Sequence, residues 1–229
     1  MRGRDIELVV VDSASQVAAI VATRLAQAAE NGGNIVLTGG KTPKLAYEQA
    51  AREQTDWSSV ELWWGDERCV PPHDDRSNYK LAKDALLDRI GRQPRAVHRI
   101  RGELGKDDAA TAYEAELGDA QLGLLLLGIG PEGHVASLFP NAPTLAARRR
   151  VVPAEPGYEP FVDRVTLTVP TLRGATEVLF LVTGSEKAEA ARRAFVDEPD
   201  EHTPASLVRA ADGRTTAVLD RAAAASMMG

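Results

Sequence analysis

The chain has 229 residues, 44% of them hydrophobic and 26% charged, which is enough for one large core and requires no second one. Its formal net charge of −6 argues against a broad nucleic-acid or anionic-membrane face, so any anionic ligand has to be held by a few local cations. Cys69 stands alone and cannot form an internal disulfide, the start MRGRDIELVV lacks a signal-type apolar segment, and no run approaches the roughly 20 apolar residues that span a bilayer; a soluble, cytoplasmic protein with one domain over 1–229 is expected.

Apolar runs alternate with amphipathic stretches along the chain. Residues 6–11 read as a strand, and the Ala-rich 13–30 reads as a helix that starts at a capping Asp12/Ser13 and stops before Gly32-Gly33. IVLT (35–38) precedes a helix from Pro43, and VELWW (60–64) precedes one beginning near Ser77. VHRI (97–100) precedes a helix over 107–117, and LGLLLL (122–127) follows. RVTLTV (164–169), EVLFLV (177–182), a helix from Ser185 and TTAVLD (215–220) complete the series, with 153–160 (PAEPGYEP) read as a surface loop. Apolar strands that alternate with helices predict an α/β fold: a three-layer, Rossmann-like, mostly parallel sheet with helices on both faces.

In such sheets ligands bind beyond the carboxyl ends of the strands, so the loops that follow strands are the informative ones. In TGGKTP (38–43), Gly39 and Gly40 let backbone N–H groups approach an anion at a helix start, and Lys41 and Thr42 add a cation and a hydroxyl; a well-capped turn is the alternative. Gly40-Lys41-Thr42 also imitates the end of a P-loop, but the first glycine of that motif would fall at 35, which is Ile in a strand run. GDERCVPPHDDRSN (65–78) crowds Asp66, Glu67 and Arg68 at a strand end, where Arg68 can present a planar fork to a phosphate or a polarised carbonyl; otherwise the three are a solvated charge cluster.

The third loop contains Gly128-Ile-Gly130-Pro-Glu-Gly133, which fits the G-x-G-x-x-G pattern of dinucleotide sites. Such a site needs a long helix after its glycines, and Pro140 stops this one about seven residues past Gly133, although Glu155 lies near the distance of a ribose-binding acid. His134, directly after Gly133, suits acid–base work better; capping or packing is its bland alternative. In the fourth loop, Lys187 falls in the first turn of a helix, a position a cation occupies comfortably only when an anion joins it. An exposed lysine would be the plainer reading, as a solvated basic run is for Arg148-Arg149-Arg150.

The segments TGGKTP, WWGDERCVPPHDDRSNY, LLLLGIGPEGHVASLFP and DRVTLTVP with a later GSEKA, in this order, resemble the 6-phosphogluconolactonase family over nearly the whole chain. Glucosamine-6-phosphate deaminases share that fold and a similar Gly-His loop. Three departures stand out: Glu132 replaces a usual Asp, Lys41 replaces a small residue, and PGYEPFVD (156–163) replaces a Pro-Lys-Pro-Pro segment before Arg164.

The resemblance implies hydrolysis of 6-phosphoglucono-1,5-lactone to 6-phosphogluconate, the second step of the oxidative pentose phosphate pathway. His134 would be the general base for water, oriented by Asp66 or Glu132, while Arg68 and loop N–H groups would stabilise the oxyanion. Lys187, Arg164 and the loop Gly39–Thr42, with Gly133 beside the base, would bind the phosphate end. No metal, nucleotide or other cofactor is expected, and the partner is a small sugar-phosphate lactone rather than nucleic acid or membrane. Competing classes fare less well. No G-x-S-x-G occurs, and none of the histidines at 73, 98, 134 and 202 has H-E-x-x-H spacing. A sugar-phosphate deaminase or isomerase and a non-catalytic sugar-phosphate sensor remain as alternatives; Ser-Leu-Phe-Pro after His134 favours the lactonase, and no DNA-binding segment accompanies a sensor.

Overall fold

Strand runs without polar alternation need cover on both faces, and a parallel sheet flanked by helices supplies it. A computed structural model describes residues 6–227. The strands are β1 (Glu7–Val11), β2 (Gly33–Leu37), β3 (Val60–Trp64), β4 (Asp66–Arg68), β5 (Ala96–Val97), β6 (Leu124–Leu127), β7 (Val151–Ala154), β8 (Arg164–Leu167), β9 (Glu177–Val182) and β10 (Arg214–Asp220). The α-helices are α1 (Ala14–Asn31), α2 (Lys41–Glu53), α3 (Asn78–Ala82), α4 (Lys106–Leu117), α5 (Val169–Arg173) and α6 (Ala188–Phe195).

Seven strands form one sheet in the order β1-β10-β9-β6-β2-β3-β5, every neighbouring pair parallel. All four leucines of β6 are buried, and Ile35, Val36 and Leu37 of β2 are at most 1% exposed, so the core runs through the sheet's centre. Helix α1 packs against α2 and against β9 and β10. It begins as its sequence requires: the Ser13 hydroxyl accepts the Gln16 N–H at 3.4 Å, and Gly32 ends it at φ 77°, a left-handed geometry that suits glycine. Among the described residues no helix is long and apolar enough to cross a membrane.

The order places β9, β6, β2 and β3 side by side, so the four loops that follow them meet at one edge of the sheet. Two buried tyrosines brace these strand ends. The Tyr47 hydroxyl, from α2, donates to the Thr38 carbonyl at 2.7 Å and accepts the Thr38 N–H at 2.9 Å. Tyr113 of α4 does the same for Trp64, at 3.0 and 2.9 Å. Each phenol thereby satisfies both backbone groups of a residue that leaves the sheet for a cleft loop.

Several expectations need correction. Residues 164–169 do not join the main sheet: β8 lies in a second, antiparallel sheet ordered β4-β8-β7, and Val169 already begins α5. Part of the expected surface loop 153–160 is strand, since Pro153 and Ala154 close β7 opposite Val165 and Arg164. The strand expected over 97–100 shrinks to Ala96–Val97. No helix follows Gly133 either; Val135 and Leu138 form an isolated bridge, and Ala136 at φ 50° reverses the chain within it. Helix α2 starts at Lys41, two residues before Pro43.

Candidate active site

At the meeting point of the four loops lies a cleft of about 340 Å³, lined by Gly39 and Gly40 after β2, Asp66 and Arg68 after β3, Gly128, Gly130 and His134 after β6, and Lys187 after β9. Arg164 reaches it from β8, where its register partner across the antiparallel pair is Arg68. Seven of the expected site residues therefore line one cavity: Gly39, Gly40, Asp66, Arg68, His134, Arg164 and Lys187.

His134 is held from behind. Its Nδ1 lies 2.5 Å from Glu132 Oε1, and its ring is flanked by Phe139 and Tyr158, with centroids 5.1 and 5.6 Å away. Burial pushes the Glu132 carboxyl up, but the hydrogen bond and charge of His134 outweigh it and hold the group below its usual range. With Nδ1 occupied, the other ring nitrogen, Nε2, makes no hydrogen bond among the described residues, the arrangement a proton acceptor needs. A Cβ at Gly130 would overlap the imidazole and the Glu132 carboxylate, so a side chain there would displace the pair. Gly133 sits at φ 106° with Thr203 close against it.

Of the two carboxylates expected beside the histidine, Glu132 makes the contact. Asp66, 5% exposed, accepts instead from Ser137 Oγ at 2.6 Å and from Asn78 Nδ2 at 3.2 Å. It thus ties the histidine loop to α3, and Asn78 in turn packs where a side chain on Gly39 would stand. Glu67 serves the scaffold rather than the cleft. Its carboxylate accepts the N–H groups of Arg68, Asn78 and Tyr79 and the Ser77 hydroxyl, although burial pushes its pKa up, and it thereby caps α3.

Three cations face the cleft without a carboxylate in salt-bridge contact among the described residues: Arg68, Arg164 and Lys187. Arg164 is 2% exposed and donates Nη2 to the carbonyls of Tyr158 and Pro160 at 2.8 and 3.0 Å; Arg68 donates Nη1 to the Arg76 carbonyl. Both guanidiniums keep a buried Nε–H with no partner. Burial lowers the pKa of Arg164 and of Lys187, the latter opposed by the charges of Glu186 and Asp220. Unsatisfied buried donors are costly, and the three cations give this cleft a positive lining suited to an anionic ligand.

Lys41 and Thr42 do not line the cleft: Lys41 is exposed, and the Thr42 hydroxyl pairs with that of Thr183 at 2.7 Å, joining the first loop to the fourth. Lys187 closes a 3-10 turn and caps α6 rather than lying within its first turn. The basic run also belongs to the scaffold: Arg149 pairs with Glu114, and Arg150 donates to the carbonyls of Gly118 and Ala120 at the end of α4. Asn78, Tyr158, Glu159 and Glu186 also line the cleft, and no local sequence signal points to them. Ser-Asn before a helix reads as a cap, and nothing local signals that the 155–163 loop folds back over the histidine. Among the described residues, no three His, Cys, Asp or Glu side chains are grouped so as to hold a metal ion.

A family model described as glucosamine-6-phosphate isomerases/6-phosphogluconolactonase matches residues 10–217. A 6-phosphogluconolactonase of Mycobacterium tuberculosis is 40% identical over 220 residues, spanning 88% of this chain and 88% of that protein. The solved structure of 6-phosphogluconolactonase from Trypanosoma cruzi is similar with a TM-score of 0.87 at 25% identity, covering 99% of this chain and 98% of that one. A monomeric glucosamine-6-phosphate deaminase, at 22% identity and TM-score 0.83 over 96% of this chain and all of its own, shares the fold.

Proposed function

The chain belongs to the glucosamine-6-phosphate isomerase/6-phosphogluconolactonase family, and on that premise we propose that it hydrolyses 6-phosphoglucono-1,5-lactone to 6-phosphogluconate with His134 as general base. The observation that carries the reading is the pairing of Glu132 with Nδ1 of His134, 2.5 Å apart, on the wall of a cleft that holds three cations without carboxylate partners among the described residues.

In this mechanism Nε2 of His134 takes a proton from a water as its oxygen attacks the lactone carbonyl carbon, and the Glu132 carboxylate stabilises the imidazolium that forms. The tetrahedral oxyanion is met by Arg68, a donor of the kind that contributes about 10² to 10³ in rate. Collapse breaks the bond from carbon to the ring oxygen, which receives the proton back from His134; one water is consumed and one carboxylic acid appears. Lys187, Arg164 and the N–H groups at the start of α2 hold the 6-phosphate, whose charge complements those cations. A δ-lactone already reacts with water unaided, so these terms suffice without a covalent enzyme intermediate. The reaction belongs to the oxidative pentose phosphate pathway.

The test is proton release from enzymatically generated lactone, measured against the spontaneous rate, with ammonia release from glucosamine 6-phosphate measured in parallel. Acceleration of the first alone is expected. Ammonia release without lactone hydrolysis by the folded protein would replace this reading with the deaminase one.

A further inference from the structure

The loop before Arg164 sits beside the base. Tyr158 lines the cleft and is the one aromatic residue other than His134 to do so among the described residues. The residue is 41% exposed, and its ring is tilted 43° to the imidazole, with centroids 5.6 Å apart. The backbone beneath it is anchored. Arg164 donates to the carbonyls of Tyr158 and Pro160, the Arg164 guanidinium lies 5.5 Å over the Phe139 ring, and Gly157 approaches that ring so closely that a Cβ would overlap it. The Tyr158 hydroxyl makes no hydrogen bond among the described residues, and beside the edge turned to His134 the ring remains open to the cleft.

An anchored aromatic face in a cleft otherwise dominated by cations, carboxylates and backbone has a chemical match. A closed sugar ring has an apolar C–H face, and a lactone ring is flattened around its carbonyl carbon; such a face packs on an aromatic ring, while hydroxyls and phosphate take the polar groups. Hydrolysis destroys that face. The open-chain product keeps the phosphate and the hydroxyls but has no ring to stack.

Resting on the lactonase reading above, we infer that Tyr158 is a specificity-determining residue that packs on the closed lactone ring beside His134 and makes the site favour substrate over its own product. Phosphate contacts alone could not do this, because substrate and product share them.

The experiment compares the wild type with Tyr158→Ala and Tyr158→Phe, measuring KM for the lactone and Ki for 6-phosphogluconate, with circular dichroism as the folding control. Tyr158→Ala should raise KM roughly three- to tenfold, the scale of one aromatic packing contact, and leave Ki within about a factor of two. Tyr158→Phe should match the wild type in both. A parallel rise of KM and Ki would overturn the inference, since it would mean that Tyr158 only supports the loop that Arg164 holds; so would an unchanged KM, or a Tyr158→Phe variant as impaired as Tyr158→Ala. Absence of lactonase turnover in the wild type would overturn instead the reading on which the inference rests.

Discussion

At the scale of single residues the cleft separates roles that local sequence leaves merged. Asp66 and Glu132 are both carboxylates near a histidine loop, yet only Glu132 touches the ring, while Asp66 binds Ser137 and Asn78. His134→Gln should therefore lower kcat by about 10² to 10⁴ with the fold retained, the range for loss of a general base. Glu132→Gln should lower it less, and adding Glu132→Gln to His134→Gln should cost almost nothing further, because Glu132 works only through the imidazole. Single-turnover rates of the two variants and the double variant check this, and additive losses would give Glu132 an independent role. Lys187 calls for a different measurement. If its ammonium meets the phosphate, Lys187→Ala should weaken inhibition by 6-phosphogluconate roughly ten- to a hundredfold, as losing a hydrogen bond to a charged group does, and hardly change the weak inhibition by gluconate. Equal losses for both ligands would place Lys187 away from the phosphate.

Elements with a strong period were readable, and those defined by tertiary pairing were not. VELWW reads as a strand and is β3 over the same residues, and EVLFLV is likewise β9. β4 is three charged residues with no apolar rhythm, and β7 contains a proline; both are strands only because β8 lies between them. The histidine loop escaped for a related reason. Its glycines and Pro140 signal irregularity, but the left-handed turn at Ala136 and the bridge across it come from packing, not propensity. The tyrosine braces were invisible too, since a hydroxyl that satisfies a strand end 9 or 49 residues away leaves no local pattern. Tyr47→Phe tests their importance: it leaves the Thr38 N–H and carbonyl buried without that partner, which should cost about 1 to 3 kcal/mol in urea unfolding. An unchanged midpoint and slope would show that Thr38 finds other partners.

Over the whole molecule, alternation of apolar runs with helices predicts a parallel sheet but not the order of its strands, and the order is what makes a site. Because β9, β6, β2 and β3 are neighbours, cations separated by more than a hundred residues in the chain, such as Arg68 and Lys187, face one cleft of an otherwise acidic protein of net charge −6. The same assembly bears on cofactors. Among the described residues no three His, Cys, Asp or Glu side chains are grouped to hold a metal, and Glu132 and Asp66 are engaged with the His134 Nδ1 and with Ser137 and Asn78, so a divalent ion at Nε2 would find an incomplete ligand set beside three positive side chains. An ion there would also occupy the lone pair that has to take the proton from water. The glycine loop has no following helix to seat a pyrophosphate, and hydrolysis moves no electrons for a nicotinamide to carry. The lactonase rate should therefore survive dialysis against a strong chelator and need no added nucleotide, while added zinc should inhibit. Rates before dialysis, after it, and after zinc or magnesium is restored decide the matter: if chelation abolishes activity and one metal restores it, a cation-bound water must replace His134 as the source of the nucleophile.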